Sequence, residues 1–238
     1  MRYFLVIPAA GSGRRFSTAV PKQYAALGSS TVIEQALAPF EADPDCAGIV
    51  VAVAAGDATW PGIAARRTRV IETARGGEQR AHSVRNALRA LVGRARDDDW
   101  IMVHDAARPC FAASDLQMLK HELAPHPVGG LLAVPLADTL KRALEPGTRA
   151  THVDGTLDRD GLWRAATPQV FRFGVLLRAL EAALDAQRMP TDEAQAIEWT
   201  GQRPRLVAGR ADNIKVTTAE DLELASAILG RRAIRENH

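Results

Sequence analysis

The chain has 238 residues, 47% of them hydrophobic and 24% charged, with 30 basic against 28 acidic side chains and a formal net charge of +2. That balance excludes a disordered chain and gives no footing for a nucleic-acid surface, while the length allows one large α/β domain or two small ones. Two distant cysteines, Cys46 and Cys110, make neither a disulfide framework nor a zinc site, and the longest apolar run, Ile49 to Ala55, is far short of a membrane span. The first residues enter a strand without a signal-peptide pattern, so a reducing, cytoplasmic setting is expected.

In chain order, Tyr3 to Ile7 is apolar and predicts a buried first strand. It runs into Pro8-Ala9-Ala10-Gly11-Ser12-Gly13, then Arg14-Arg15. Small residues let a ligand approach the backbone, and glycines allow the φ values that turn successive N–H groups toward an anion. Arg15 and Lys22 are too far apart for one helical face and are expected on a loop folded over whatever the glycines hold. Ser30 or Thr31 caps a helix to about Phe40, with Ile33, Ala36, Leu37 and Phe40 on one side. Gly48 to Ala54 is a continuous apolar run, the mark of a strand covered on both faces. Arg69 to Thr73 predicts a third strand. Glu78 to about Ala95 predicts a helix with Val84, Leu88, Leu91 and Val92 as its apolar stripe. Trp100 to Val103 predicts a fourth strand, followed by a helix capped by Ser114 and a fifth strand over Gly130 to Val134.

The alternation breaks over residues 137–164, where short extended pieces are joined by turn residues such as Glu145-Pro146-Gly147. This predicts an inserted β-hairpin arm with little core of its own, expected to pack on a second subunit. Beyond it come a strand over Gln169 to Phe173, a helix over Val175 to Gln187, a short helix capped by Thr191, a strand over Arg205 to Val207, and a last helix from near Thr218. The whole reads as one three-layer, Rossmann-like α/β domain over 1–238 with a mostly parallel sheet. Loops following Ile7, Thr73 and Val103 should share the sheet edge where such folds bind ligands.

Two familiar phosphate loops do not fit the first stretch. Phe16 stands where the dinucleotide fingerprint needs a third glycine, and the Gly-Lys-Ser/Thr of a P-loop is absent. The longer run Pro8-Ala-Ala-Gly-Ser-Gly-Arg-Arg with Pro21-Lys22-Gln23-Tyr24 instead resembles the loop of nucleotidyltransferases. Three further motifs narrow this: Gly76-Gly77-Glu78-Gln79-Arg80-Ala81-His82-Ser83, His104-Asp105-Ala106-Ala107-Arg108-Pro109, and Ala211-Asp212-Asn213-Ile214-Lys215-Val216-Thr217. In this order, over essentially the whole chain, they resemble the 2-C-methyl-D-erythritol 4-phosphate cytidylyltransferase family.

The resemblance implies transfer of a cytidylyl group from CTP to methylerythritol phosphate, with Mg²⁺, by a cytoplasmic homodimer that exchanges its arms and binds neither nucleic acid nor membrane. It implies Arg15 and Lys22 as transition-state stabilisers, and Arg159 and Lys215 as positioners of the acceptor phosphate. CTP would be lined by Ala9, Ala10, Gly11, Gly13, Gly77, Ser83 and Ala106. The acceptor would meet Asp105, Arg108, Thr139, Arg159, Thr167, Thr191 and Lys215, with Thr139 and Arg159 coming from the partner's arm. Asp105 is also a candidate Mg²⁺ ligand, most of the metal's ligands being CTP phosphates. Glu78 and His82 stand where the family commonly has aspartate. Two rival readings are a cytidylyltransferase for another phosphorylated polyol such as ribitol phosphate, and a catalytically silent nucleotide sensor. The acceptor-side residues favour methylerythritol phosphate over the first, and the presence of Arg15, Lys22 and Lys215 disfavours the second.

Overall fold

The computed structural model describes residues 1–11, 16, 20–147 and 150–236. Strand β1 (Tyr3–Pro8) is followed by a single 3-10 turn at Lys22–Tyr24, two short paired strands β2 (Ala26–Leu27) and β3 (Ser30–Thr31), and helix α1 (Val32–Glu41). Thr31 and Glu34 form a capping box, Glu34 accepting from the Thr31 N–H at 2.9 Å. Then come β4 (Cys46–Val53), α2 (Trp60–Ala64), β5 (Val70–Arg75), α3 (Arg80–Arg89), β6 (Trp100–Val103), α4 (Ala113–Leu123) and β7 (Gly129–Pro135). The hairpin strands β8 (Leu140–Ala143) and β9 (Val153–Leu157) precede β10 (Trp163–Arg172), α5 (Phe173–Asp185), α6 (Glu193–Glu198), β11 (Arg205–Ala208) and α7 (Ala219–Glu236).

Seven strands form one sheet in the order β11-β7-β10-β6-β1-β4-β5, in which β10 runs against its neighbours and the other six are parallel. The pleat of β1 sorts its side chains. Tyr3, Leu5 and Ile7 join Ile33, Leu37 and Phe40 of α1 and Leu116 and Leu119 of α4 on one face. Phe4 and Val6 join Val84 and Leu88 of α3, Leu176 and Leu180 of α5, and Ile197 of α6 on the other. Both faces are covered, which is why β4 reads as an unbroken apolar run. A smaller cluster of Phe16, Leu27, Val32, Cys110 and Val216 anchors α7 through Ala225.

Several boundaries differ from expectation. Helix α3 starts at Arg80 and stops at Arg89, because Gln79 and His82 form its capping box and Gly93 takes φ +81° in the turn beyond. Val92 is 62% exposed and lies off the buried stripe. Ser114 is not the cap of α4; Ala112 holds that position without a side-chain bond. Asp192, not Thr191, caps α6, accepting from the Gln195 N–H at 2.9 Å. The short α2 and the β2–β3 pair were not expected. The arm is also shorter than 137–164: β8 pairs with β9 in a sheet of its own, but Trp163 and Arg164 already pair with Pro135 and Val134 in the central sheet. A Thr167–Pro168 dipeptide inside β10 disguised it as a strand beginning at Gln169; the register shifts between Ala165 and Gln169, and the Thr167–Pro168 peptide is cis. No helix among the described residues is long and apolar enough to cross a membrane.

Candidate active site

Three loops leave the same edge of the sheet and are tied there by the backbone. The Ala9 N–H donates to the Ala52 carbonyl at 2.7 Å, Gly76 N–H to Val53 at 2.7 Å, and His104 N–H to Val6 at 3.0 Å. The first two loops touch. A Cβ built on Gly76 would lie 2.2 Å from the Ala10 Cβ and 3.0 Å from the Val53 oxygen, so only glycine lets them close up. A cavity of about 710 Å³ opens between the loops. Ala9, Ala10 and Gly11 line it, with Gly77 and Ser83, Asp105 and Ala106, and Lys22 and Lys215. Gly13 and Arg15 lie outside the described residues.

The wall of small residues is held by a side chain that sequence reasoning did not single out. Gln23 is buried and donates from Nε2 to the Ala9 carbonyl at 2.8 Å and to Gly11 at 3.4 Å. Its position beside Lys22 in Pro21-Lys22-Gln23 was the available signal. Among the described residues, no atom lies within 4 Å of a Cβ built on Gly11. Opposite, the Ser83 hydroxyl accepts from the Gly77 N–H at 3.0 Å and donates to the Gln79 carbonyl at 3.3 Å, which spends it on shaping its own loop. His82, one of the departures from the family pattern, packs against Gly77 closely enough that a Cβ there would lie 2.3 Å from its own.

At the floor, Asp105 follows β6 and is 7% exposed. Its Oδ1 accepts from Arg80 Nε at 3.0 Å and its Oδ2 from Lys215 Nζ at 2.8 Å, with Arg108 Nε 3.5 Å from Oδ2. Burial alone would push this carboxyl up, but the charges of Arg80, Lys215 and Arg108 outweigh it and hold the group far below the usual carboxylate range. Lys215 reaches Asp105 because its segment is laced to the loop before it. The Val216 N–H donates to the Ala107 carbonyl at 2.8 Å, and Arg108 Nη1 donates to the Asn213 carbonyl at 2.8 Å. Lys22 lines the same cavity and donates to the Val216 carbonyl at 2.9 Å.

Asp105 is the carboxylate at the cavity floor that Mg²⁺, which takes one or two carboxylates besides substrate phosphates, would meet, and both its oxygens face cations.

Behind Asp105 lies a buried relay. The Asp105 N–H donates to Thr167 Oγ1 at 3.0 Å, and Thr167 Oγ1 is 3.0 Å from His104 Nδ1. His104 Nε2 lies 3.2 Å from the Arg108 carbonyl, which can only accept, so the proton sits on Nε2 and Nδ1 accepts from the threonine. Complete burial pushes the His104 pKa down to about 4. This predicts a pH effect on stability. Between about 4 and the ordinary 6.5 the unfolded chain binds a proton that the folded chain refuses. The contribution, roughly 3 kcal/mol at about 1.4 per pH unit, is complete above 6.5 and lost as pH falls toward 4. Urea midpoints of wild type and His104→Asn between pH 4.5 and 7.5 check it; the variant should show the shallower slope.

Five of the expected acceptor residues are not in the cavity wall of this chain. Arg108 and Thr167 lie against Asp105 beside the wall: Arg108 Nε is 3.5 Å from Asp105 Oδ2, and the Thr167 hydroxyl accepts from the Asp105 N–H and lies 3.0 Å from His104 Nδ1. Thr191 is exposed, its N–H bonded to Gln195. Thr139 and Arg159 are exposed near the hairpin, Arg159 donating to the Ala137 carbonyl.

Residues 3–231 match the family model described as 2-C-methyl-D-erythritol 4-phosphate cytidylyltransferase. A Pseudomonas putida (strain W619) protein of that name is 52% identical over 232 residues, 97% of either chain. A crystal structure of a 4-diphosphocytidyl-2C-methyl-D-erythritol synthase superposes with a TM-score of 0.83 at 39% identity, covering 96% of this chain and 98% of the other. The Francisella tularensis 2-C-methyl-D-erythritol 4-phosphate cytidylyltransferase gives 0.78 at 34% identity over 96% of this chain and all of its own.

Proposed function

This chain belongs to the 2-C-methyl-D-erythritol 4-phosphate cytidylyltransferase family, and from that premise we propose which of its side chains do the work. The enzyme transfers the cytidylyl group of CTP to 2-C-methyl-D-erythritol 4-phosphate, giving 4-diphosphocytidyl-2-C-methyl-D-erythritol and pyrophosphate for isoprenoid precursor synthesis. The observation that carries the division of labour is one cavity with a backbone wall at Ala9–Gly11 and Gly77 and a charged floor at Asp105 and Lys215.

An oxygen of the acceptor phosphate attacks the α-phosphorus of CTP. The bond to the oxygen bridging α and β breaks, and its electron pair leaves with pyrophosphate. A phosphate monoester, with a second pKa of about 6, is already largely dianionic at neutral pH and needs no general base. The nearby His104 fits that absence, since both its ring nitrogens are occupied behind the site. The reaction needs cations to bring two polyanions together and to meet charge building on the transferred group. Lys22 and Arg15 take the triphosphate, and Lys215, with Arg108 and Arg159, takes the acceptor phosphate. Small residues at 9–13 leave the backbone free for the triphosphate, and Gly77 with the loop shaped by Ser83 excludes a purine. Mg²⁺ comes to the site on the triphosphate as part of the substrate.

Thr139 and Arg159 complete the acceptor site from a second copy. Supporting this, the hairpin and the turn after it expose Leu144, Val153, Leu157 and Leu162, which a soluble arm would bury against another subunit. Both cysteines are buried and free, in keeping with a reducing cytoplasm.

Pyrophosphate release with Mg²⁺, each of the four nucleoside triphosphates, and either methylerythritol phosphate or ribitol phosphate tests the specificity. Turnover should be confined to CTP with methylerythritol phosphate. Preference for ribitol phosphate would overturn the acceptor assignment while leaving the CTP wall intact.

A further inference from the structure

Arg80 opens α3, three residues after Gly77, and lines the cavity. It is engaged on three sides. Nη1 and Nη2 form a fork on Glu193, at 2.6 Å to Oε1 and 3.1 Å to Oε2, while Nε donates to Asp105 Oδ1 at 3.0 Å. Glu193 is only 1% exposed, so its charge is tolerable only with a cation in that place. The glutamate is itself fixed. Its helix α6 is capped by Asp192, and Gln169 grips the same turn, accepting from the Ala194 N–H at 2.8 Å and donating to Asp192 Oδ2 at 2.9 Å.

We propose that Arg80 is the positioning residue of the acceptor half of the site, locked by Glu193 so that it sets the orientation of Asp105 and, through it, the place of Lys215. The inference rests on the assignment of Lys215 to the acceptor phosphate made above. Asp105 has two oxygens and is pulled from two directions: Arg80 takes Oδ1 and Lys215 takes Oδ2. Without Arg80 the carboxylate is free to rotate toward Lys215 and Arg108, and the ammonium loses its fixed station. Around this point three cations, Arg80, Arg108 and Lys215, face two carboxylates, Asp105 and Glu193. Arg80 opens the helix that follows the Gly77 loop, and its guanidinium bonds run to Asp105 and Glu193, on the acceptor side.

Geometry is separable from charge here. Lysine keeps the charge, but a single ammonium cannot bridge two carboxylates in the planar manner of a guanidinium. Arg80→Lys and Glu193→Gln are therefore the test, with CTP affinity measured by calorimetry without acceptor, steady-state kinetics in both substrates, and thermal unfolding. For both variants KM for methylerythritol phosphate should rise about tenfold or more, kcat fall less than about fivefold, and CTP affinity stay within about threefold. Glu193→Gln preserves size and keeps the test alive should Arg80→Lys fold poorly. An unchanged acceptor KM in a folded variant, or CTP affinity weakening in step with acceptor KM, overturns the proposal. Wild-type turnover with methylerythritol phosphate is the separate control: its failure would overturn the functional reading as well.

Discussion

Replacing Lys22 with alanine is expected to lower kcat about 10³-fold while the protein stays folded, the size seen when a cation is withdrawn from a phosphoryl-transfer transition state. The side chain begins a single 3-10 turn at the cavity rim and donates a hydrogen bond to the Val216 carbonyl. That carbonyl can turn to water when the ammonium goes, so the variant should still unfold cooperatively near the wild-type midpoint. The effect on rate is larger because the ammonium meets charge that grows only as the α-phosphorus is attacked. CTP binding, measured without acceptor, should weaken far less than kcat falls. A variant that keeps most of its kcat would remove Lys22 from the chemistry.

Asp105 should show the opposite profile, with stability and activity lost together. Its carboxylate is the anion on which Arg80, Arg108 and Lys215 converge. Asp105→Ala leaves Arg80 with Glu193 alone and leaves Arg108 and Lys215 facing each other without it. Removing one member of a buried charge cluster costs about 3–5 kcal/mol, and that range is expected from urea unfolding at neutral pH. Asp105→Asn, which keeps shape and one acceptor oxygen, should lose less stability but still raise KM for methylerythritol phosphate strongly. Alanine within about 1 kcal/mol of wild type would mean that the three cations are hydrated and that the cluster is not the floor of the site.

Local signals carried much of the fold. The apolar run of β4, the capping box at Thr31 and Glu34, and the periodic face of α1 depend on residues a few positions apart, and they appear where the residue types demand. Motif order identified the family, since four loop sequences in sequence order need no knowledge of their distances in space. Readings failed where a residue's use depended on something remote. Thr191 looks like a cap, but Asp192 beside it is also a good one, and its tie to Gln169 from β10 accompanies the choice of Asp192. Thr167 and Pro168 look like a break in a strand, yet β10 continues past them because β6 and β7 supply pairing on both sides.

The site divides in the same way. Residue type and order alone were enough to indicate a small-residue loop, a lysine that follows it, and an aspartate at the end of a buried strand. That Gln23 holds the loop, that a neutral His104 fixes the Thr167 hydroxyl on which the Asp105 N–H rests, and that Arg80 locks onto Glu193 emerged only once the chain was folded. The physical reason is burial. A charge or hydroxyl removed from water must find its partner inside, and Arg80 and Glu193 are 113 residues apart in the chain. No spacing rule spans that distance; the fold decides it by bringing the first turn of α6 to the start of α3.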